Sequence, residues 1–414
     1  MIQLLMNEEN PYIRVGTSYY KIIRKPTISG DTISLMSKWN RETIITDHGK
    51  DFISNIPKLD DFICIPDNLN YERIIGNFYN TYNELPFKPV EEKVDIDSPK
   101  IEKSILFLNH IFGNQFLLGI DYLKILLELP TQYLPILCLV SKERATGKTT
   151  MIKWLKAIFG LNMTYIKGDS FSSQFNADWT AKLIVAIDEV FFDRKEITER
   201  LKYLSTTDKD KIERKGHDRE EIDFFAKFIL CSNNEDNFIQ IDENEIRFWI
   251  IKVKPIKEEN TEFLFQLVTE IPYFLSFLLT HPFTTEKKSR MWFSPNEIKT
   301  DALRKLVWRN NNKLERQMIE LFNEIFENFD ENEIQFTPTD IVSMLKTMFK
   351  AYWSVSDVRK LLKNNWKIEP KNNSLAYVKY DIEYNGSFYQ LNKIGRYFTV
   401  NRNFITEIYD EMMR

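Results

Sequence analysis

Ile136-Leu137-Cys138-Leu139-Val140-Ser141-Lys142-Glu143-Arg144-Ala145-Thr146-Gly147-Lys148-Thr149-Thr150 runs from five apolar residues through a short polar loop into a helical pattern. That pattern places Ile152, Leu155, Ile158 and Phe159 on one face and is closed by Gly160. An apolar strand without polar alternation needs burial on both faces, which points to a parallel sheet. A loop leading from such a strand into a helix presents backbone N–H groups and the helix N-terminus to an anion, the requirements of a phosphate cradle. Ala145, Thr146, Gly147, Lys148, Thr149 and Thr150 are the candidate nucleotide-binding residues, with Lys148 placed to reach β and γ oxygens and Thr149 to ligate Mg²⁺. The full eight-residue pattern begins with Gly, and Lys142 stands there instead. The loop start therefore either avoids positive φ or costs roughly 1–2 kcal/mol.

Working outward, short apolar runs recur at 183–187, 228–231 and 248–253, separated by mixed segments with helical character. Four such strands predict an α/β domain. The second ends in Asp188-Glu189, two carboxylates at the carboxyl edge, where ligands of open parallel sheets bind. Asp188 is the candidate metal ligand and Glu189 the candidate base that polarises an attacking water. The third strand ends in Ser232-Asn233-Asn234, and the neutral amide of Asn233 could orient that water without competing as a base. Arg247, just before the fourth strand, could act as a finger on a neighbouring subunit's γ-phosphate. Each has a plainer reading: acids in a solvated turn, Asn as turn chemistry, and an Arg salt-bridged to Glu243 or Glu245.

The order Gly147-Lys148-Thr149, Asp188-Glu189, Asn233, Arg247, with gaps of forty positions from Lys148 to Asp188 and forty-five from there to Asn233, resembles the superfamily 3 helicases of viruses, phages and plasmids. More narrowly it is similar to the helicase portion of phage and plasmid primase-helicases. The resemblance covers about residues 101–260. It implies a compact AAA+ P-loop ATPase core using ATP and Mg²⁺, six copies in a ring, and catalysis by Lys148, Glu189, Asn233 and a neighbour's Arg247. It also implies a channel hairpin between the carboxylate pair and Asn233, where Arg214, Lys215 and His217 would hold single-stranded DNA by sequence-independent contacts. Taken without the resemblance, this mixed charge run reads as a solvated face.

The C-terminal part carries its own pattern. A helix over 339–348 and a second through Val358, Leu361 and Leu362, capped by Ser354 or Ser356, precede strands at 375–384 and 388–391 around Asn385-Gly386 and a last one at 396–400. Helix, helix and hairpin read as a winged-helix-like domain. Residues 341–400 hold ten basic and four acidic side chains, a net of +6 on a chain of −4. Arg359, Lys360 and Lys363 lie on or just after the second helix, where a helix-turn-helix relative contacts DNA; a protein-binding or merely solvated basic face is the alternative.

With 414 residues, 43% hydrophobic and 28% charged, the composition is that of a folded chain of two to four modules, and disordered or fibrous classes are excluded. We read five regions: a small mixed module at 1–95, a linker and helical collar at 96–132, the ATPase core at 133–260, a helical connector at 261–310 and the winged-helix-like domain at 311–414. Residues 86–99, rich in Pro and acids, read as linker. No apolar run near 18 residues is read, the longest being 134–140 and 271–279, so no membrane partner is expected. The first ten residues show no secretory signal. Cys64, Cys138 and Cys231 are too few and too scattered for a disulfide framework, which fits a cytoplasm, that of a bacterial host under the resemblance. Residues 1–95 show no paired acids beside a His, so no primase module is expected here and a separate primase or other replication protein is an implied partner. The expected activity is ATP-dependent unwinding of forked DNA by translocation on single strands during phage, plasmid or mobile-element replication. The alternatives are an AAA+ remodelling or loading ATPase, and an ATP-regulated DNA-binding initiator.

Overall fold

Alternating residues after Asn10 build a four-stranded sheet from β1 (Tyr12–Val15), β2 (Ser18–Pro26), β3 (Thr32–Trp39) and β4 (Lys58–Leu59), in the order β3-β2-β1-β4. α1 (Arg41–His48) starts at Asn40, whose side chain accepts from the Glu42 amide, and Ile44 packs with Tyr12 and Ile56 on one sheet face. Ile13, Val15 and Leu59 pack on the other against Tyr79, from a small sheet of β5 (Asp61–Ile63), β6 (Ile74–Ile75) and β7 (Phe78–Asn80). The computed structural model describes residues 10–26, 32–172, 176–192, 195–212, 220–241, 245–256, 258, 260–311, 313–383 and 386–413. Its contacts divide the chain into two compact units, Met1–Arg304 and Lys305–Arg414.

Residues 86–99 are irregular, as a linker would be, but they are not free. Val94 is buried, the Val90 amide bonds the Pro272 carbonyl at 3.2 Å, and Ser276 Oγ donates to the Glu92 carbonyl at 2.5 Å. Prolines and acids disfavour regular structure without preventing a strap whose carbonyls find side-chain partners. The collar follows as α2 (Glu102–Phe112) and α3 (Phe116–Glu128), broken at Gly113, where φ is +53°.

The core sheet has five strands: β8 (Ile136–Val140), β9 (Met163–Lys167), β10 (Ile184–Asp188), β13 (Lys227–Ser232) and β14 (Phe248–Lys252). All pairs are parallel, in the order β14-β8-β13-β10-β9. The crossing segments are α4 (Lys148–Phe159), α5 (Gly168–Ser172), α6 (Lys195–Leu204) and an antiparallel pair, β11 (Lys209–Ile212) and β12 (Glu220–Asp223). Every residue of β8 and β13 is buried, as continuous apolar runs require, at roughly 1.5–3 kcal/mol per large aliphatic side chain. β9 is the strand absent from the sequence reading. At the sheet edge only Met163 of its Met-Thr-Tyr-Ile-Lys sequence is buried, the rest being half-buried or exposed, so it lacks the apolar continuity used to find the others.

α7 (Phe263–Thr280) is the one helix among the described residues long and apolar enough to cross a membrane. This corrects the reading that no run approaches that length, since Glu270 is its single charge. Leu267, Ile271, Phe274, Leu275, Phe277 and Leu278 are nonetheless buried in the core, and Glu270 accepts from the Lys103 and Ser104 amides at 3.0 and 2.7 Å, capping α2. Residues 281–300 are not helical, against expectation, because Pro282 and Pro295 interrupt them.

In the second unit, α9 (Lys313–Phe329), which follows α8 (Asp301–Asn311), buries Met318, Phe322, Ile325 and Phe326. β15 (Glu333–Phe336) leads into α10 (Pro338–Phe349), then α11 (Val355–Lys360), which is capped by Ser354 and extended by a π-helical turn at Leu361–Asn365. β16 (Leu375–Ile382) pairs antiparallel with β17 (Phe388–Gly395), β18 (Phe398–Asn401) pairs β15, and α12 (Arg402–Met413) follows. Asp340 locks hairpin to helix: its carboxylate accepts from the Thr337 amide and hydroxyl, the Tyr377 hydroxyl at 2.5 Å and Lys393 Nζ at 2.7 Å.

Candidate nucleotide site at the carboxyl edge of the sheet

Strand order decides which side chains meet. Because β13 lies between β8 and β10, the loop after β8, the carboxylates ending β10 and the amides ending β13 share one edge. The ends of β10 and β13 are tied directly, Val190 N donating to the Cys231 carbonyl at 2.9 Å and Ser232 Oγ to the Val190 carbonyl at 2.7 Å.

The loop resolves the question at Lys142. Its φ is not positive; the left-handed positions are Ala145 at +52° and Gly147 at +88°. The glycine-free start therefore costs nothing at Lys142, and Ala145 bears the strain instead, about 1 kcal/mol. Lys142 extends to the turn after β13, pairing with Asp236 at 2.9 Å. Gly147 has a second reason to lack a side chain, since a Cβ there would meet Phe107 at 3.1 Å. Lys148 opens α4, is buried, and donates to Thr146 Oγ1 at 3.1 Å. Burial holds its ammonium below the ordinary lysine range, while Cys231, Asp188, Glu143 and Glu235 act against that. A triphosphate would supply the missing counter-charge. Thr149 is exposed at the start of α4.

Asp188 and Glu189 are exposed at the end of β10. Glu189 sits at φ +55°, a strained turn that directs the chain off the strand immediately after the carboxylate pair. Asn234 is committed to its own turn, its Oδ1 accepting from the Asp236 and Asn237 amides at 3.0 and 3.1 Å, whereas Asn233 is exposed. One hydroxyl and one carboxylate suit Mg²⁺, which keeps waters and binds with phosphates; no cluster of three or more His, Cys, Asp or Glu occurs among the described residues.

Arg247 stands at the opposite edge. Its carbonyl accepts from Ile136 N, at the amino end of β8, so about 16 Å of strand separates it from its own phosphate loop. Its guanidinium pairs with Glu245 at 3.1 Å, and Lys202 holds the same carboxylate at 3.0 Å. The plain reading, a salt-bridged Arg, thus describes this chain. Arg214, Lys215 and His217 lie outside the described residues; β11 and β12 are the arms on either side of them. In the second unit Arg359 and Lys360 are exposed at the end of α11, while Lys363 pairs with Glu369 at 2.8 Å.

Two contacts escaped the sequence reading. His110 Nε2 lies 3.0 Å from the Thr146 carbonyl and the Ile256 amide donates to the Ala145 carbonyl at 3.0 Å. His110 falls three residues after Phe107, on the helix face turned toward the loop, but nothing local marks that face as adjoining residue 146.

A family described as one of unknown function, DUF5906, matches residues 139–247, the phosphate loop through Arg247. No curated protein matches the chain in sequence. Two apo structures of the C-terminal region of NrS-1 are similar: one at 16% identity and a TM-score of 0.53, covering 96% of this chain and 98% of that one, the other at 16% and 0.54, covering 93% and 96%. A structure of JCV helicase aligns over 62% of this chain and 67% of its own at 12% identity, with a TM-score of 0.29. The chain therefore shares the fold of the NrS-1 C-terminal region along nearly its whole length.

Proposed function

We propose that this chain is an ATP-dependent DNA helicase of the superfamily 3 type, serving the replication of a phage, plasmid or other mobile element. The observation that carries this reading is the convergence, at one sheet edge, of Gly147-Lys148-Thr149, Asp188-Glu189 and Asn233. Lys148 neutralises β and γ oxygens and the loop amides bind the remainder of the phosphates. Thr149 and Asp188 would hold Mg²⁺, which supplies further charge neutralisation. Glu189 takes the proton of the attacking water while Asn233 orients it. Arg247, a strand length from its own site, serves a neighbour's γ-phosphate, so the site is complete only between two copies, in the proposed ring of six.

DNA contacts in this reading come from two places. Arg214, Lys215 and His217, which fall in sequence between β11 and β12, track single-stranded phosphate in the channel; the two strands themselves are of mixed charge, with Asp210, Glu220, Glu221 and Asp223 beside Lys209 and Lys211. The C-terminal unit acts as a winged helix whose exposed Arg359 and Lys360, with Lys363, contact duplex or forked phosphate. A separate primase or other replication protein works with it.

Particle imaging with a non-hydrolysable ATP analogue and single-stranded DNA tests the proposal. A closed ring with nucleotide between subunits and DNA in the channel is expected; monomers that bind ATP but no DNA would overturn it.

A further inference from the structure

A phosphate loop works by aiming consecutive backbone N–H groups into one cavity, and glycines ordinarily supply the freedom for that. This loop has one glycine in the eight positions from Lys142 to Thr149. Its N–H groups must be aimed by something else.

Peptide planarity shows by what. In a trans peptide the carbonyl of one residue and the N–H of the next point to opposite sides. The Ala145 carbonyl is drawn outward by Ile256 N at 3.0 Å, which turns the Thr146 N–H the other way. The Thr146 carbonyl is drawn outward by His110 Nε2 at 3.0 Å, which turns the Gly147 N–H the other way too. A carbonyl only accepts, so the ring nitrogen facing it is the donor. The left-handed backbone at Ala145 and Gly147 is the conformation that lines up such amides as an anion-binding concavity. Phe107 and Ile111, on either side of His110, come within 3.1 and 3.6 Å of where a Gly147 Cβ would stand, so α2 backs the loop closely along this stretch.

We infer that His110 is a positioning residue for nucleotide binding: together with the Ile256 amide it holds the loop carbonyls outward and so aims the Thr146 and Gly147 amides at the phosphates. The collar helix is thereby part of the nucleotide site although it lies outside the stretch from Lys142 to Thr149. This rests on the reading of that loop as an ATP site.

The experiment compares His110→Ala and His110→Gln with wild type in the full-length chain, measuring ATP affinity with a fluorescent ATP analogue, steady-state hydrolysis and apo Tm. Misaiming one loop N–H that would bond a charged phosphate oxygen should raise the Kd roughly tenfold or more in His110→Ala, with the burden on KM rather than kcat. Gln, which retains an amide donor, should recover most of that affinity, and apo Tm should stay near wild type in both. Wild-type affinity in His110→Ala overturns the inference, as does a fall in Tm that parallels the affinity loss without recovery by Gln. Failure of the nucleotide reading looks different: wild type itself would bind no analogue.

Discussion

The two edges of the core sheet are built from the same strands and treat polar groups in opposite ways. At the carboxyl edge Thr149, Asp188, Glu189 and Asn233 are exposed, and Ala145 and Glu189 are held in left-handed conformations. At the amino edge the buried Lys227 Nζ donates to the Pro130 and Phe225 carbonyls, and Arg247 and Lys202 share Glu245. Of these groups, the ones at the carboxyl edge are left open, where a ligand could complete them, and the ones at the amino edge have internal partners. Arg247 belongs to the paired edge; in the proposed ring a second copy would offer it a phosphate.

Removing that distant cation should have the largest effect. Arg247→Ala is expected to lower ATP hydrolysis on the order of 10³-fold. Mixing it with Glu189→Gln should restore part of the rate, since the second chain donates the finger and the first the intact site. An unchanged rate would return Arg247 to a local ion pair and restore a simple division between an active edge and a structural one.

At the carboxyl edge, Lys148→Ala should cost about 10²–10³-fold in hydrolysis, the scale for removing one preorganised electrostatic contact. Strand separation that persists in this variant would break the proposed mechanism.

Lys227 sharpens the contrast from the stability side. Burial depresses its amine from the ordinary lysine range to about 7. Unfolding between pH 7 and roughly pH 10 therefore takes up a proton, and stability should rise with pH across that window. Lys227→Met should flatten the rise and raise stability at pH 7 by on the order of 2 kcal/mol, less whatever the Pro130 and Phe225 carbonyls lose. Parallel denaturation curves for the two proteins from pH 7 to 9 would show that the amine stays charged.

The smallest effect concerns the second unit. Arg359→Ala combined with Lys360→Ala should weaken DNA binding uniformly across sequences and reduce the logarithmic salt slope by about 2. A loss confined to one sequence would point to base readout instead.

Much of this architecture was legible beforehand. Strands buried on both faces announce themselves as unbroken apolar runs, and β8, β10, β13 and β14 were readable for that reason. Ser354 and Gly386 marked the C-terminal helix and hairpin through cap and turn chemistry. β9 was not legible, because an edge strand needs only half its residues apolar. The strapping of 86–99 onto α7 was hidden too, since it depends on carbonyls, which no side-chain pattern encodes.

Sequence by itself determined the chemistry on offer: a phosphate loop, two acids, an amide and an arginine, each attached to a strand end. Tertiary structure decided which of them stand together. By inserting β13 between β8 and β10 it gathered three groups at one edge, and by starting β14 at the other it sent Arg247 away from its own site. It also brought His110 to Thr146 across 36 positions. Strand order and helix packing are set by the whole buried core, and long-range hydrogen bonds follow from them, so neither can be read from local spacing.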